Sequence, residues 1–148
     1  MAGYSATIAS PRSADEVFAY LADFSSVADW DPSVSESVHR GGGDPLSAGA
    51  SFRVTIRTSV GSVVLNYETV ELDRPGRIVL RGENRSMVSL DTISIAERPG
   101  GGSEVTYSAE IELKGVFRLG EPVLRLGFKR LGDRARDGLR ARLNEGWG

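Results

Sequence analysis

The chain has 148 residues, of which 40% are hydrophobic and 26% charged, as in an ordinary globular protein of one domain. Its net charge of −2 argues against a general nucleic-acid-binding protein, and the absence of cysteine excludes disulfides and thiolate chemistry. It also lacks an apolar run long enough to span a bilayer and the basic and apolar segments of a signal peptide. We therefore expect one cytoplasmic domain over residues 1–148.

The N-terminal part of the chain predicts one strand and two short helices. Weak alternation indicates a strand over Tyr4–Ala9. Ser13 and Glu16 have the spacing of a capping box, which predicts the start of the first helix. A second helix is expected over Ser25–Trp30, because the residue before Pro32 is disfavoured in helical conformation.

Six strands are predicted next, joined by turns. Their apolar residues alternate with polar ones, which indicates a sheet with one buried face, and the short turns imply antiparallel pairing. The predicted strands are Ser33–Arg40, Ala50–Ser59, Ser62–Leu72, Arg77–Glu83, Ser86–Glu97 and Glu104–Leu113.

The last third of the chain predicts one long amphipathic helix, from Val116 to about Glu145. Pro122 indicates either a helix start or a kink. The helix is long enough to cover the apolar face of the sheet, which predicts a two-layer α+β fold. Residues spaced by three and four share its apolar face: Leu124, Phe128, Leu131, Ala135, Leu139 and Leu143.

This helix region is basic. Residues 114–148 contain nine Lys or Arg and four Asp or Glu, a net charge of +5, so the remainder carries −7. A solvated helix face explains the pattern, and contact with a membrane surface or an anionic partner is the alternative.

Several segments resemble the START-like (Bet v 1-like) superfamily, in particular its bacterial polyketide cyclase/dehydrase and lipid-transport families. The resemblance covers nearly the whole chain. It implies a helix-grip fold, in which a curved seven-stranded antiparallel sheet wraps a long C-terminal helix and two short helices follow the first strand. The segments that carry it are Ser10–Phe18, Asp23-Phe24, Asp29–Pro32, Tyr67–Pro75, Gly102–Tyr107 and Leu113–Gly115.

In this fold type the space between sheet and helix usually holds an apolar ligand. The same side chains could instead pack together without a void, although Gly127, beside the apolar stripe, is expected to leave room. The expected ligand-binding residues are Trp30, Val34, Phe52, Val54, Ile56, Tyr67, Leu80, Met87, Asp91, Ile93, Tyr107, Leu124, Gly127, Phe128 and Leu131.

Asp91, Tyr67 and Tyr107 are the candidate catalytic residues. If Ile93 points inward, Asp91 does too, since side chains in a strand alternate with a period of two. The three polar groups could orient a ligand or act as acid and base on a carbonyl compound. Alternatively, Asp91 lies at the sheet end, in water or paired with Arg81, and the tyrosines are core residues with hydroxyls at the rim.

Other site chemistry has little support in the sequence. His39 alternates with Val38 and is expected to face solvent, and one histidine without cysteine disfavours a transition-metal site. We expect no metal and no cofactor.

The leading functional hypothesis is binding or carriage of a small hydrophobic molecule, such as a lipid, polyketide or aromatic compound. One alternative is an enzyme of the polyketide cyclase/dehydrase type. Another is an interaction protein that uses the basic helix face. No nucleic acid and no stable membrane insertion are expected, and both monomer and homodimer are compatible with the sequence.

Overall fold

The computed structural model describes residues 2–58 and 61–145. Strand β1 (Ala2–Ser10) precedes helix α1 (Ala14–Ala22), a 3₁₀ turn (Phe24–Ser26) and helix α2 (Val27–Trp30). The remaining elements are β2 (Val34–Arg40), β3 (Ser51–Thr58), β4 (Gly61–Asp73), β5 (Arg77–Glu83), β6 (Met87–Glu97), β7 (Ser103–Leu113), a second 3₁₀ turn (Gly115–Gly120) and α3 (Glu121–Asn144). Ser59, predicted to end the third strand, lies outside the described residues.

The seven strands form one antiparallel sheet in the order β1-β7-β6-β5-β4-β3-β2. All strand pairs except β1–β7 join strands that follow each other in the chain. In the β1–β7 pair, Ile8 lies opposite Val105. Helix α3 packs along β1 and contacts α2. The predicted α+β helix-grip fold is therefore confirmed. No helix in the described ranges is both long and apolar enough to cross a bilayer.

Local sequence signals mark the starts of helices α1 and α3. The Ser13 hydroxyl accepts a hydrogen bond from the Glu16 amide at 3.2 Å, as expected of an N-cap. The C-terminal helix starts later than predicted: residues 115–120 form a 3₁₀ turn, and α3 begins at Glu121 with a proline in its first turn. Pro122 thus marks a start and not a kink, because proline fits the first turn without loss of a helical hydrogen bond.

Strand β2 contains an irregularity that changes which side chains face inward. The pairing register with β3 shifts between Val34 and Glu36, so that Val38 is exposed and His39 turns inward. The prediction that His39 faces solvent is wrong. Its ring lies 5.4 Å from the Phe52 ring, and its buried Nε2 has no hydrogen-bond partner among the described residues.

Candidate functional site

A cavity of about 160 Å³ lies between the inner face of the sheet and α3. Its size is close to that of an engineered apolar cavity of about 150 Å³ that binds benzene in another protein. The space observed therefore suits a single ring or one end of a larger molecule. Its apolar lining consists of Phe24, Val27, Val34, Val54, Ile56, Val63, Leu65, Met87, Ala109, Ile111, Leu124, Phe128, Leu131 and Ala135.

One cluster of polar groups interrupts this apolar wall. The Asp91 carboxylate, 4% exposed, accepts a hydrogen bond from the Tyr107 hydroxyl at 3.0 Å on Oδ2. Its Oδ1 accepts from the Ser89 hydroxyl at 2.8 Å and, at a longer 3.4 Å, from the Tyr67 hydroxyl. We call Tyr67, Ser89, Asp91 and Tyr107 the Asp91 cluster. All four line the cavity.

Burial controls the protonation of this cluster. Removal from water raises the pKa of Asp91 from 3.8 to about 6, against the opposing effect of the three donated hydrogen bonds. Burial also raises the pKa of Tyr67 and Tyr107 well above 10, and the negative charge of Asp91 adds to that rise. The tyrosines therefore act as hydrogen-bond donors, while Asp91 can gain or lose a proton near neutral pH.

A second carboxylate faces the same cavity. Asp31 Oδ1 accepts from the Ser33 amide at 3.0 Å and from the Ser33 hydroxyl at 2.8 Å. Burial raises the pKa of Asp31, and its charge contributes to the raised pKa of Asp91. Within the described ranges, no lysine, arginine or histidine lines the cavity, so its polar groups are two carboxyls and several hydroxyls.

Aromatic packing fixes both tyrosines of the cluster. Tyr67 lies over Gly82 of the neighbouring strand, where an added Cβ would come within 2.6 Å of the ring. The Phe24 ring packs on the Tyr67 ring, with the two centroids 5.0 Å apart. The Tyr107 and Trp30 rings pack edge to face, with their centroids 5.5 Å apart. The hydroxyls are consequently aimed at Asp91 by the core and by the lack of a side chain at Gly82.

Helix α3 closes the cavity through a contact with β1. The Tyr4 ring covers Gly132, where an added Cβ would lie 2.4 Å from the ring, and the Tyr4 hydroxyl donates to Asp133 at 2.8 Å. The absence of a side chain at Gly132 therefore allows the helix to approach the first strand.

The cavity includes most of the residues that the sequence suggested for it, but some of them lie elsewhere. Phe52 packs between Phe24 and His39, Leu80 and Ile93 are fully buried in the core, and Trp30 supports Tyr107 from behind. Gly127 is a correction: it is exposed, and an added Cβ would meet no atom within 4 Å, so it leaves no room in the cavity.

Several polar residues of the cavity wall are not predicted from the sequence, and Ser89 and Asp31 matter most because they interact with Asp91. Strand alternation is sufficient to predict the inward direction of Ser89, because Ser89 lies two residues before Asp91 and must share its face. Asp31 precedes Pro32 and predicts only a helix end, because nothing in the local sequence distinguishes an exposed Asp-Pro pair from a buried one. The alternative pairing of Asp91 with Arg81 does not occur, since Arg81 binds Glu83 at 2.9 Å. In the described part of the chain, no group of three or more His, Asp or Glu side chains could hold a metal.

The sequence matches a protein family over residues 1–144, the one described as polyketide cyclase / dehydrase and lipid transport. No curated protein is significantly similar in sequence.

Solved structures with similar folds include proteins with and without a stated activity. A START superfamily protein from Mycobacterium smegmatis is 14% identical, with a TM-score of 0.76 over 95% of this chain and 96% of that chain. The Zhui aromatase/cyclase from Streptomyces sp. R1128 is 14% identical, with a TM-score of 0.74 over 95% and 90%. TTHA0849 from Thermus thermophilus is 18% identical, with a TM-score of 0.73 over 95% and 96%. At these identities the likeness shows the fold alone.

Proposed function

The chain belongs to the polyketide cyclase/dehydrase and lipid-transport family, and from this membership we propose that it binds a small apolar molecule in the cavity beneath α3. The observation that carries the proposal is the Asp91 cluster. A carboxylate buried in an apolar cavity without a cationic partner destabilises the fold, and a ligand site is a physical reason for its presence.

The polar groups of the cavity restrict the ligand class. Asp31 and Asp91 would repel a carboxylate or phosphate, and no cationic side chain of the described residues lines the cavity to offset that repulsion. The ligand should therefore be neutral or cationic, with one polar end that donates a hydrogen bond. The volume of about 160 Å³ favours one ring, or the end of a longer chain.

Titration with three one-ring probes tests this specificity. We expect phenol, which donates one hydrogen bond, to bind the protein more tightly than toluene. The affinity for benzoate should be lower than that for phenol by a factor of roughly ten or more at pH 8, because Asp91 and Asp31 repel its negative charge. Isothermal titration calorimetry measures all three affinities. Equal affinities for phenol and benzoate, or no binding of any probe, would refute the proposed site.

A second candidate function is acid–base catalysis on a bound carbonyl compound. It is favoured by the Asp91 pKa of about 6, which suits a general base, and by the Tyr107 hydroxyl that hydrogen-bonds the same carboxylate. Aldol cyclisation or dehydration of a β-ketone would use these groups, and the aromatase/cyclase of similar fold supports this function by analogy.

The catalytic function requires that Asp91→Asn abolishes turnover of a model β-ketone in a folded protein. Undiminished turnover would exclude the role.

A further inference from the structure

Large apolar side chains are exposed together at one place, just before and within the first turns of α3. In the described chain, the other large apolar side chains with substantial exposure are scattered over the outer face of the sheet, and none is more than 46% exposed. We call the group near α3 the exposed apolar strip, and it consists of Val116 (72% exposed), Phe117 (46%), Leu119 (83%), Val123 (74%) and Leu126 (84%).

The start of α3 is apolar on two sides. Leu124 and Phe128 point into the cavity, whereas Val123 and Leu126 point away from the protein. A helix with one apolar side buries that side by packing on its sheet. A second apolar side stays exposed to solvent unless another surface covers it. Apolar surface concentrated in this way marks an interaction site.

The segment that carries the strip is basic. Residues 114–130 contain five Lys or Arg and one acid, Glu121, which gives a net charge of +4. Lys114 pairs with Glu83, Arg125 with Glu121 and Lys129 with Asp133, while Arg130 forms no ion pair with any described residue. The covering surface should therefore be anionic. A symmetric dimer through the strip would place these positive charges against each other.

The strip lies beside the cavity. Added Cβ atoms at Gly120 and Gly127 would meet nothing within 4 Å, so the described residues leave the strip open to solvent at these two positions. An apolar ridge with basic flanks suits a fluid surface, into which side chains insert without matched pockets. The next turn of the helix lines the cavity through Leu124 and Phe128.

We propose that residues 116–130 dock peripherally on an anionic phospholipid membrane. The exposed apolar strip enters the boundary between headgroups and acyl chains, and Arg118, Arg125, Lys129 and Arg130 contact lipid phosphates. This function goes beyond ligand binding in the cavity. Docking brings the cavity close to the membrane, in which apolar ligands dissolve.

Vesicle co-sedimentation tests the apolar part of this docking. Wild-type protein should sediment with vesicles of phosphatidylcholine and phosphatidylglycerol, and much less with phosphatidylcholine alone or at high salt. The double variant Leu119→Ser/Leu126→Ser should lose roughly tenfold or more in vesicle affinity, because two apolar side chains no longer insert. The matched control Val38→Ser/Val70→Ser removes two exposed apolar side chains from the outer sheet face and should bind as wild type does.

Charge reversal tests the electrostatic part. Arg118→Glu/Arg130→Glu should abolish binding to the anionic vesicles, whereas Arg53→Glu/Arg98→Glu, elsewhere on the exposed surface, should retain it. Absence of wild-type binding, or equal losses in the control variants, would overturn the proposal. So would a concentration-dependent dimer that the strip variant dissociates without any vesicle binding. Phenol affinity should be unchanged in all four variants, so failure of docking is distinguishable from failure of the ligand site.

Discussion

Replacing Asp91 with asparagine is expected to stabilise the folded protein at pH 8 by about 3 kcal/mol and to change its stability little at pH 4. The reason is that burial raises the pKa of Asp91 from 3.8 to about 6. Between these values the folded state binds more protons than the unfolded state. The stabilising effect of the bound proton is complete below pH 3.8 and is lost as the pH rises through about 6, and asparagine has no proton to lose.

Urea denaturation of both proteins at pH 4 and pH 8 measures this difference. Glu110→Gln is the matched control, because Glu110 is an exposed carboxyl beside the cavity strand position Ala109. A wild-type protein and an Asp91→Asn variant with the same pH dependence of unfolding would contradict the account. If the variant is more stable yet discriminates less between phenol and benzoate, then Asp91 serves function at a loss of stability.

Adding a methyl group at Gly138 is expected to destabilise the protein by about 3 kcal/mol, whereas the same addition at Gly127 should stabilise it by about 1 kcal/mol. A Cβ at Gly138 would lie 1.8 Å from the backbone oxygen of Trp30 and 3.2 Å from Pro32, so α3 and α2 would have to separate. A Cβ at Gly127 would meet nothing within 4 Å, and alanine favours the helical conformation over glycine.

Thermal unfolding of Gly138→Ala and Gly127→Ala compares two glycines of one helix. For a chain of this length the expected changes in Tm are a fall of roughly 10 °C and a rise of roughly 3 °C. Similar small effects of both substitutions would show that α3 does not pack on the Trp30 carbonyl as described.

Alternation and spacing predict the two-layer α+β fold and the inward direction of Asp91 in the candidate site. The period of two in β6 predicts that Asp91 points inward with Ile93, and applied consistently it also places Ser89 there. In α3, the spacing of four from Phe128 identifies Gly132 as the glycine on the packed face. Gly127, one position before Phe128, is rotated by about 100° from it and belongs to the outer side.

The features that the sequence did not predict depend on tertiary contacts. The inward turn of His39 follows from the irregular register of β2 with β3, which no local residue pattern indicates. The burial of Asp31 depends on where α2 ends against the cavity, and the need for glycine at 138 depends on the approach of α3 to Trp30. Pairing and packing between distant segments fix all three.

The central claim, that the cavity beneath α3 is a ligand site, is tested most directly by filling it. Ala109 lines the cavity directly opposite Asp91 in the β6–β7 register, and isoleucine is well suited to a strand. Calorimetric titration should show that Ala109→Ile loses phenol binding while remaining folded, and that Ala9→Ile, on an exposed position of β1, binds as wild type does. Ala135→Leu, which fills the same cavity from α3, should reproduce the loss. Unchanged phenol affinity in both folded cavity variants would contradict the account.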